Sequence, residues 1–201
     1  MDLLAAVLGV LFPASCVGCE QVGNGLCARC APRAANIQET VQGIRIAALG
    51  PYDGILRKAV LALKDGRRDV ASSLGALLAE RIAIAGFLVP IPTTRRRRAA
   101  RGFDQAALIA QAYAAVRGNP ILHVLHSAGD RAQHGRTRSD RLAAGERFYV
   151  ADPALVRGKP VVLIDDVITT GATLAACAAS LRAAGANPSA AIAVARTLSG
   201  R

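Results

Sequence analysis

Residues 161–173 of this chain read VVLIDDVITTGAT, and no other segment constrains the fold as tightly. Val161 to Ile164 form a continuous apolar run of β-branched character, the pattern of a strand buried on both faces in a parallel sheet. Two acids, Asp165 and Asp166, stand at its C-terminal end. Thr169, Thr170, Gly171, Ala172 and Thr173 then lead into a helix expected over 172–184 and stopped at Gly185. Small hydroxyl-bearing residues at a helix N-terminus make a phosphate cradle, because the first-turn N–H groups lack partners and the dipole end is positive. The two carboxylates, a few residues upstream, are too close to that phosphate to be its ligands, but well placed for sugar hydroxyls. Together these elements ask for a ribose 5-phosphate.

The rest of the chain repeats the strand-then-helix rhythm. Apolar runs near 44–49, 87–91, 121–125, 161–165 and 189–195 alternate with helical stretches near 53–64, 70–85, 103–117 and 172–184. That is an α/β protein with a mostly parallel sheet flanked by helices, and such sheets bind ligands beyond the carboxyl ends of their strands. A chain of 201 residues has room for one such core, or one core and a small module.

The small module is written in the cysteines. Cys16, Cys19, Cys27 and Cys30 form two CxxC pairs seven residues apart, with Gly18, Gly23 and Gly25 allowing tight turns between them. Four thiolates in this spacing point to a tetrahedral Zn²⁺, and a site with no open position is structural rather than catalytic. Cys177, in TLAACAASL, is expected to be a small core residue. The apolar start, residues 2–11, carries Asp2 where a signal peptide has positive charge, so it is expected to be a short helix packed on the protein and the chain to be cytoplasmic. No apolar stretch is long enough to span a bilayer.

The net charge of +11 is concentrated: residues 90–150 hold eleven bases and four acids. Most of the bases are arginine, whose fork matches phosphate geometry. With aromatic residues at 3% and no Trp, rows of stacking rings for nucleic acid are excluded, and polyanion binding has to come from charge. No Walker loop, GxGxxG or Ser–His–Asp set is present, so ATPase and dehydrogenase readings have no support.

The strand, acid pair and TTGAT turn resemble the signature of type I phosphoribosyltransferases, enzymes that bind phosphoribosyl pyrophosphate (PRPP). With PYDGILRKAVLALKDGRRD (51–69), VPIPTTRRRRAARGFDQA (89–106), AQHGRTRSDR (132–141) and the twin CxxC, the chain resembles the ComF/ComFC family of natural competence, the import of external DNA, over residues 12–197. That resemblance implies a zinc ribbon within residues 1–38 and a phosphoribosyltransferase-like domain over 39–201. It implies that Asp165 and Asp166 hold the ribose hydroxyls, as the catalytic acids, and that Thr169 to Thr173 wrap the 5′-phosphate. In such a fold the loop after the 87–91 strand receives Mg²⁺-pyrophosphate, making Thr93, Thr94, Arg95, Arg98 and Arg101 candidate ligands. Four consecutive arginines cannot converge on one pocket, so one or two of 95–98 are expected to face the ligand and the others, with Arg101, to face solvent. Lys64 occupies a position where the family keeps a lysine; it also suits the end of a helix for electrostatic reasons alone.

Two departures stand out. Asp104 replaces the Asn usual in RGFNQ, and the 126–144 loop has Asp130 and Ala144 where the family commonly has Thr and Asn, which bears on closure of that loop over a ligand. His123 is expected to pack at a strand edge and His134 to lie in a loop, neither being catalytic. Two functions follow: a Mg²⁺-dependent phosphoribosyl transfer from PRPP to an unidentified acceptor, or a non-catalytic PRPP sensor that handles single-stranded DNA. Single-stranded DNA and a competence helicase or ATPase are the further partners that the family's process brings.

Overall fold

The computed structural model describes residues 13–32, 37–127 and 148–197, with the side chains of Arg95 and Arg96 excepted. The expected helix over 2–11 and most of the 126–144 loop, with Asp130, His134 and Ala144, lie outside the described residues.

In chain order the elements are β1 (Ile37–Val41), β2 (Ile44–Pro51), α1 (Gly54–Lys64), α2 (Arg68–Arg81), β3 (Phe87–Pro90), α3 (Arg95–Arg101), α4 (Gln105–Arg117), β4 (Leu125–Ser127), β5 (Phe148–Val150), β6 (Pro160–Ile168), α5 (Ala172–Ala183) and β7 (Asn187–Arg196). The main sheet runs β1-β2-β7-β6-β3. The pairs β2–β7, β7–β6 and β6–β3 are parallel, and β1 is antiparallel to β2. Gln42 and Gly43 join β1 to β2 with φ of 50° and 76°, as a two-residue turn between twisted strands requires.

Continuous apolar strands need cover on both faces, and the helices supply it. On one side α1, α2 and α4 bury Leu56, Leu63, Leu74, Leu78, Ile109 and Tyr113 against Val162, Ile164 and Ile192. On the other, α5 and β4 bury Leu174, Cys177, Leu181 and Leu125 against Val161, Leu163 and Ala193. Each fully buried Leu or Ile contributes about 1.5–3 kcal/mol. Alternation along β6 thus sends neighbouring side chains into different layers. Tyr113 is wholly buried; its hydroxyl donates to the Ile82 carbonyl at 2.8 Å and accepts from the Ile84 N–H at 3.3 Å, tying α4 to the end of α2.

Two local outcomes differ from the sequence pattern. The 121–125 run is not a strand of the main sheet: Ile121 makes a single parallel bridge to Leu88, and the chain then leaves to pair β4 with β5. The exposed His123 interrupts the apolar run there. The arginine run is helical rather than an open loop. The Thr94 hydroxyl caps α3 by accepting from the Arg97 N–H at 3.4 Å, and Gly102, at φ 75°, closes it.

Candidate functional site

The cleft is opened by a split in the sheet. β3 pairs with β6 only as far as Pro90↔Ile164, while β7 stays paired with β6 through Ile168. The Ile91 N–H makes the last bond across the split, 2.9 Å to the Ile164 carbonyl, and Pro92 follows. Asp165 and Asp166 therefore lie within a strand that has lost one neighbour. They line a cleft of about 510 Å³ together with Tyr52, Lys64, Thr93, Thr94, Arg97, Arg101, Gln105, Phe148, Thr169 and Thr173.

The two acids are not equivalent. The Asp166 carboxylate meets the Lys64 ammonium at 3.1 Å, with both side chains largely buried, and accepts from the Val167 N–H at 2.7 Å. Lys64 reaches this point because it ends α1, on the layer into which Ile164 also points. Asp165 accepts from the Asp166 N–H at 2.8 Å. Burial, then the adjacent Asp166 charge, push its carboxyl well above the usual carboxylate range. Cys177, in the α5 layer, is pushed up by burial and then by the charge of Asp165. One acid is thus paired with a cation, while burial and its neighbour's charge raise the pKa of the other.

The loop after β3 is held by Asp104. One carboxylate oxygen accepts from the Thr93 N–H at 2.9 Å, the other from the Ala107 N–H at 3.3 Å as the N-cap of α4. Asp104 also draws the Arg98 guanidinium to 3.5 Å, outside the lining of the main cleft. An Asn has one acceptor oxygen where this site uses two, which accounts for a carboxylate here. Of the candidate residues of this loop, Thr93, Thr94 and Arg101 line the cleft and Arg98 does not; the side chain of Arg95 lies outside what is described. Arg97, within the 95–98 run expected to send one or two side chains to the ligand, lines the cleft as well, and Arg101, expected to face solvent, lines it too. Their spacing of four puts the two on one face of α3, a signal that needed the run to be helical.

At the turn before α5, Thr169 and Thr173 line the cleft, with Thr170 and Ala172 exposed beside them. The Thr170 hydroxyl accepts from the Ala172 N–H at 3.3 Å. Gly171, at φ 80°, has Val41 against it: a Cβ there would come within 2.8 Å of that side chain. Sequence reasoning missed Tyr52, Phe148 and Gln105, which reach the cleft from three separate elements or their ends.

Away from the cleft, the sulfurs of Cys16, Cys19, Cys27 and Cys30 lie within 4.8 Å of one another and are placed to hold a metal ion. Tetrahedral Zn–S bonds of about 2.3 Å put sulfurs about 3.8 Å apart, and Cys19 and Cys27 are separated by 3.7 Å. Gly18 fits the same set, because a Cβ there would stand 2.8 Å from the Cys30 sulfur. Burial alone would raise the Cys16 thiol, but N–H groups of Cys27, Cys19 and Gly18 outweigh it and bring it to about 6. Cys30 is pushed up to about 12, first by its contact with Cys19 and then by Cys27. Four sulfurs so close ionise together only around a cation, which the donor set matches. The segment is anchored to the helical layer by Leu26, whose N–H donates to Ser73 at 3.2 Å, and by Arg67, which bridges the Ser15 carbonyl and Asp69.

The model of the phosphoribosyl transferase domain family matches residues 101–198. The competence protein ComFC of Bacillus subtilis is 36% identical over 87 residues, 43% of this chain and 34% of that one. The chain therefore matches about a third of that relative's length. The DNA utilization protein YhgH of Escherichia coli is 30% identical over 181 residues, covering 80% of this chain and 73% of that protein. Among solved structures, a glutamine PRPP amidotransferase from B. subtilis aligns with 61% of this chain and 25% of its own at 24% identity and a TM-score of 0.44.

Proposed function

Because the chain belongs to the ComF/ComFC family, we propose that it is a PRPP-binding protein of competence and DNA utilisation, and that it transfers the phosphoribosyl group to an acceptor still to be identified. Residues 39–201 form the phosphoribosyltransferase-like part and the cysteine segment, within 1–38, a structural zinc ribbon. The observation that carries the reading is the meeting, in one cleft, of the acid pair, the turn before α5 and the Arg97–Arg101 face of α3.

In this reading the 5′-phosphate lies on Thr169–Thr173, where first-turn N–H groups and hydroxyls converge. The ribose hydroxyls meet Asp165 and Asp166, and the pyrophosphate lies against Thr93, Thr94, Arg97 and Arg101. Breaking the C1–O bond sends its electron pair to the pyrophosphate and leaves positive character on the ribose. Carboxylates on one side and guanidinium groups on the other are fixed before the charges separate, which is where such groups lower a barrier most. Among the described carboxylates of the cleft, Asp104 is occupied by two N–H groups and Asp166 by Lys64, and burial raises the pKa of Asp165. Mg²⁺, which the PRPP reading implies, would enter with the pyrophosphate and would supply neutralisation of the leaving group. The buried Asp165, its pKa raised, is suited to hydrogen bonding with a sugar hydroxyl, while Lys64 holds Asp166 in register.

Calorimetry with PRPP and Mg²⁺ tests this directly. The wild type is expected to bind and the Asp165→Asn/Asp166→Asn variant to lose most of that affinity; a wild type that does not bind refutes the PRPP assignment. Pyrophosphate release measured with candidate bases, and with single-stranded DNA, separates transfer from sensing: binding without release under every condition favours the sensor. DNA binding, where it occurs, is expected to weaken steeply with salt and on changing Arg95–Arg98 to Ser, as phosphate contacts do.

A further inference from the structure

Gln105 is the first residue of α4 and only 3% exposed, yet its side-chain nitrogen is buried with no hydrogen-bond partner. A buried amide without a partner costs about 1–3 kcal/mol, and proteins seldom leave one without use. Its position narrows what it serves. The residue before it, Asp104, holds the Thr93 N–H and turns Arg98 away; Thr93, Thr94, Arg97 and Arg101 line the same cleft as Gln105. Asp104, the carboxylate of this stretch that lines the cleft, is taken up by the Thr93 and Ala107 N–H groups and by Arg98; the other polar side chains that the β3–α4 segment offers there, Thr93, Thr94, Arg97 and Arg101, can donate hydrogen bonds or carry positive charge. The chemistry of the missing partner is therefore that of an anionic oxygen.

Resting on the PRPP assignment above, we infer that Gln105 is a pyrophosphate-binding residue whose side-chain NH₂ donates to a non-bridging pyrophosphate oxygen, and that its orphaned state is kept for that ligand. The nitrogen is sealed from the cleft where it stands, so donation requires a half-turn of the amide plane about its last side-chain bond, which moves the donor without moving the backbone of α4. A neutral donor suits this position: it binds pyrophosphate without adding another cation beside Arg97 and Arg101, so release is not slowed by a further ion pair.

The test uses the full chain with Gln105→Met, which keeps length and volume and removes the donor, and Gln105→Glu, which keeps shape and reverses the polarity. Mg²⁺-pyrophosphate, Mg²⁺-PRPP and ribose 5-phosphate are titrated into each protein, and thermal unfolding is recorded without ligand. Gln105→Met is expected to weaken pyrophosphate and PRPP at least about tenfold, about 1.4 kcal/mol, to leave ribose 5-phosphate within about twofold, and to unfold at the same or a higher temperature. Gln105→Glu is expected to weaken the two pyrophosphate ligands further. Equal affinities in wild type and Gln105→Met overturn the inference while leaving the PRPP assignment standing. A lower unfolding temperature for Gln105→Met makes the residue structural and overturns it too. A wild type that binds none of the three ligands removes the PRPP assignment itself.

Discussion

Replacing Asp104 by Ala removes three interactions at once, and their sizes can be set separately. The cap on α4 is the Ala107 N–H at 3.3 Å, and losing such a cap costs about 1 kcal/mol. The Thr93 N–H, bonded at 2.9 Å in a partly buried loop, is left without its acceptor at a cost of about 1–2 kcal/mol. Arg98 has a half-exposed side chain and stands at 3.5 Å, a pair that contributes close to nothing once screened. Asp104→Ala should therefore lower stability by about 2–3 kcal/mol, and Asp104→Asn, which keeps one of two acceptor oxygens, by about 1 kcal/mol. For a chain of this size that corresponds to about 4–12 °C and 2–4 °C. Urea unfolding of the three proteins at neutral pH measures both, with the slope checked for constancy. Ligand affinity is a poorer gauge, because a loosened Thr93–Thr94 segment and a freed Arg98 act in opposite directions. An Ala variant within about 0.5 kcal/mol of wild type, or an Asn variant no better than Ala, would show that the two-oxygen arrangement does not hold the loop.

Two further outcomes are expected. Asp165 has a raised pKa in the folded chain, so the folded state binds its proton more tightly than the unfolded one; its contribution is full below the ordinary carboxylate value near pH 4 and is lost as pH rises through the raised value. Asp165→Asn should flatten the fall of stability with pH above about 4, and an unchanged pH profile of urea midpoints counts against that burial. Metal content should be near one zinc per chain; chelation, or Cys27→Ser, should release it and lower the unfolding temperature, because Leu26 and Arg67 couple the cysteine segment to α2. Full stability after complete metal loss would separate that segment from the core.

The strands that position the cleft were legible because continuous apolar runs such as Val161–Ile164 and closely spaced cysteines say the same thing in any context. What was not legible depended on phase or on partners distant in sequence. β1 is a short alternating IQETV edge, and its only local sign is the Gln42-Gly43 turn. Four arginines look alike until a helix assigns Arg97 and Arg101 to one face and Arg98 to another. Lys64 looked like a helix-end cation and proves to touch Asp166, a contact spanning about a hundred residues. Gln105 gave no signal, since burial without a partner is a property of the assembled cleft.

The alternation of β6 carries a consequence for how such a site can change. Asp165 lies toward the α5 layer, where its charge reaches Cys177, and Asp166 toward the α1 layer, where Lys64 ends its helix. The two adjacent carboxyls are reached from different layers but feel one another, since the Asp166 charge raises Asp165 and the Lys64 charge lowers it. A substitution behind α5 that changes the burial of Asp165 leaves the Lys64–Asp166 pair in place, whereas a change at Lys64 reaches both acids. Relatives that share the acid pair can therefore diverge in proton affinity, and in the ligands they tolerate, through residues that never enter the cleft.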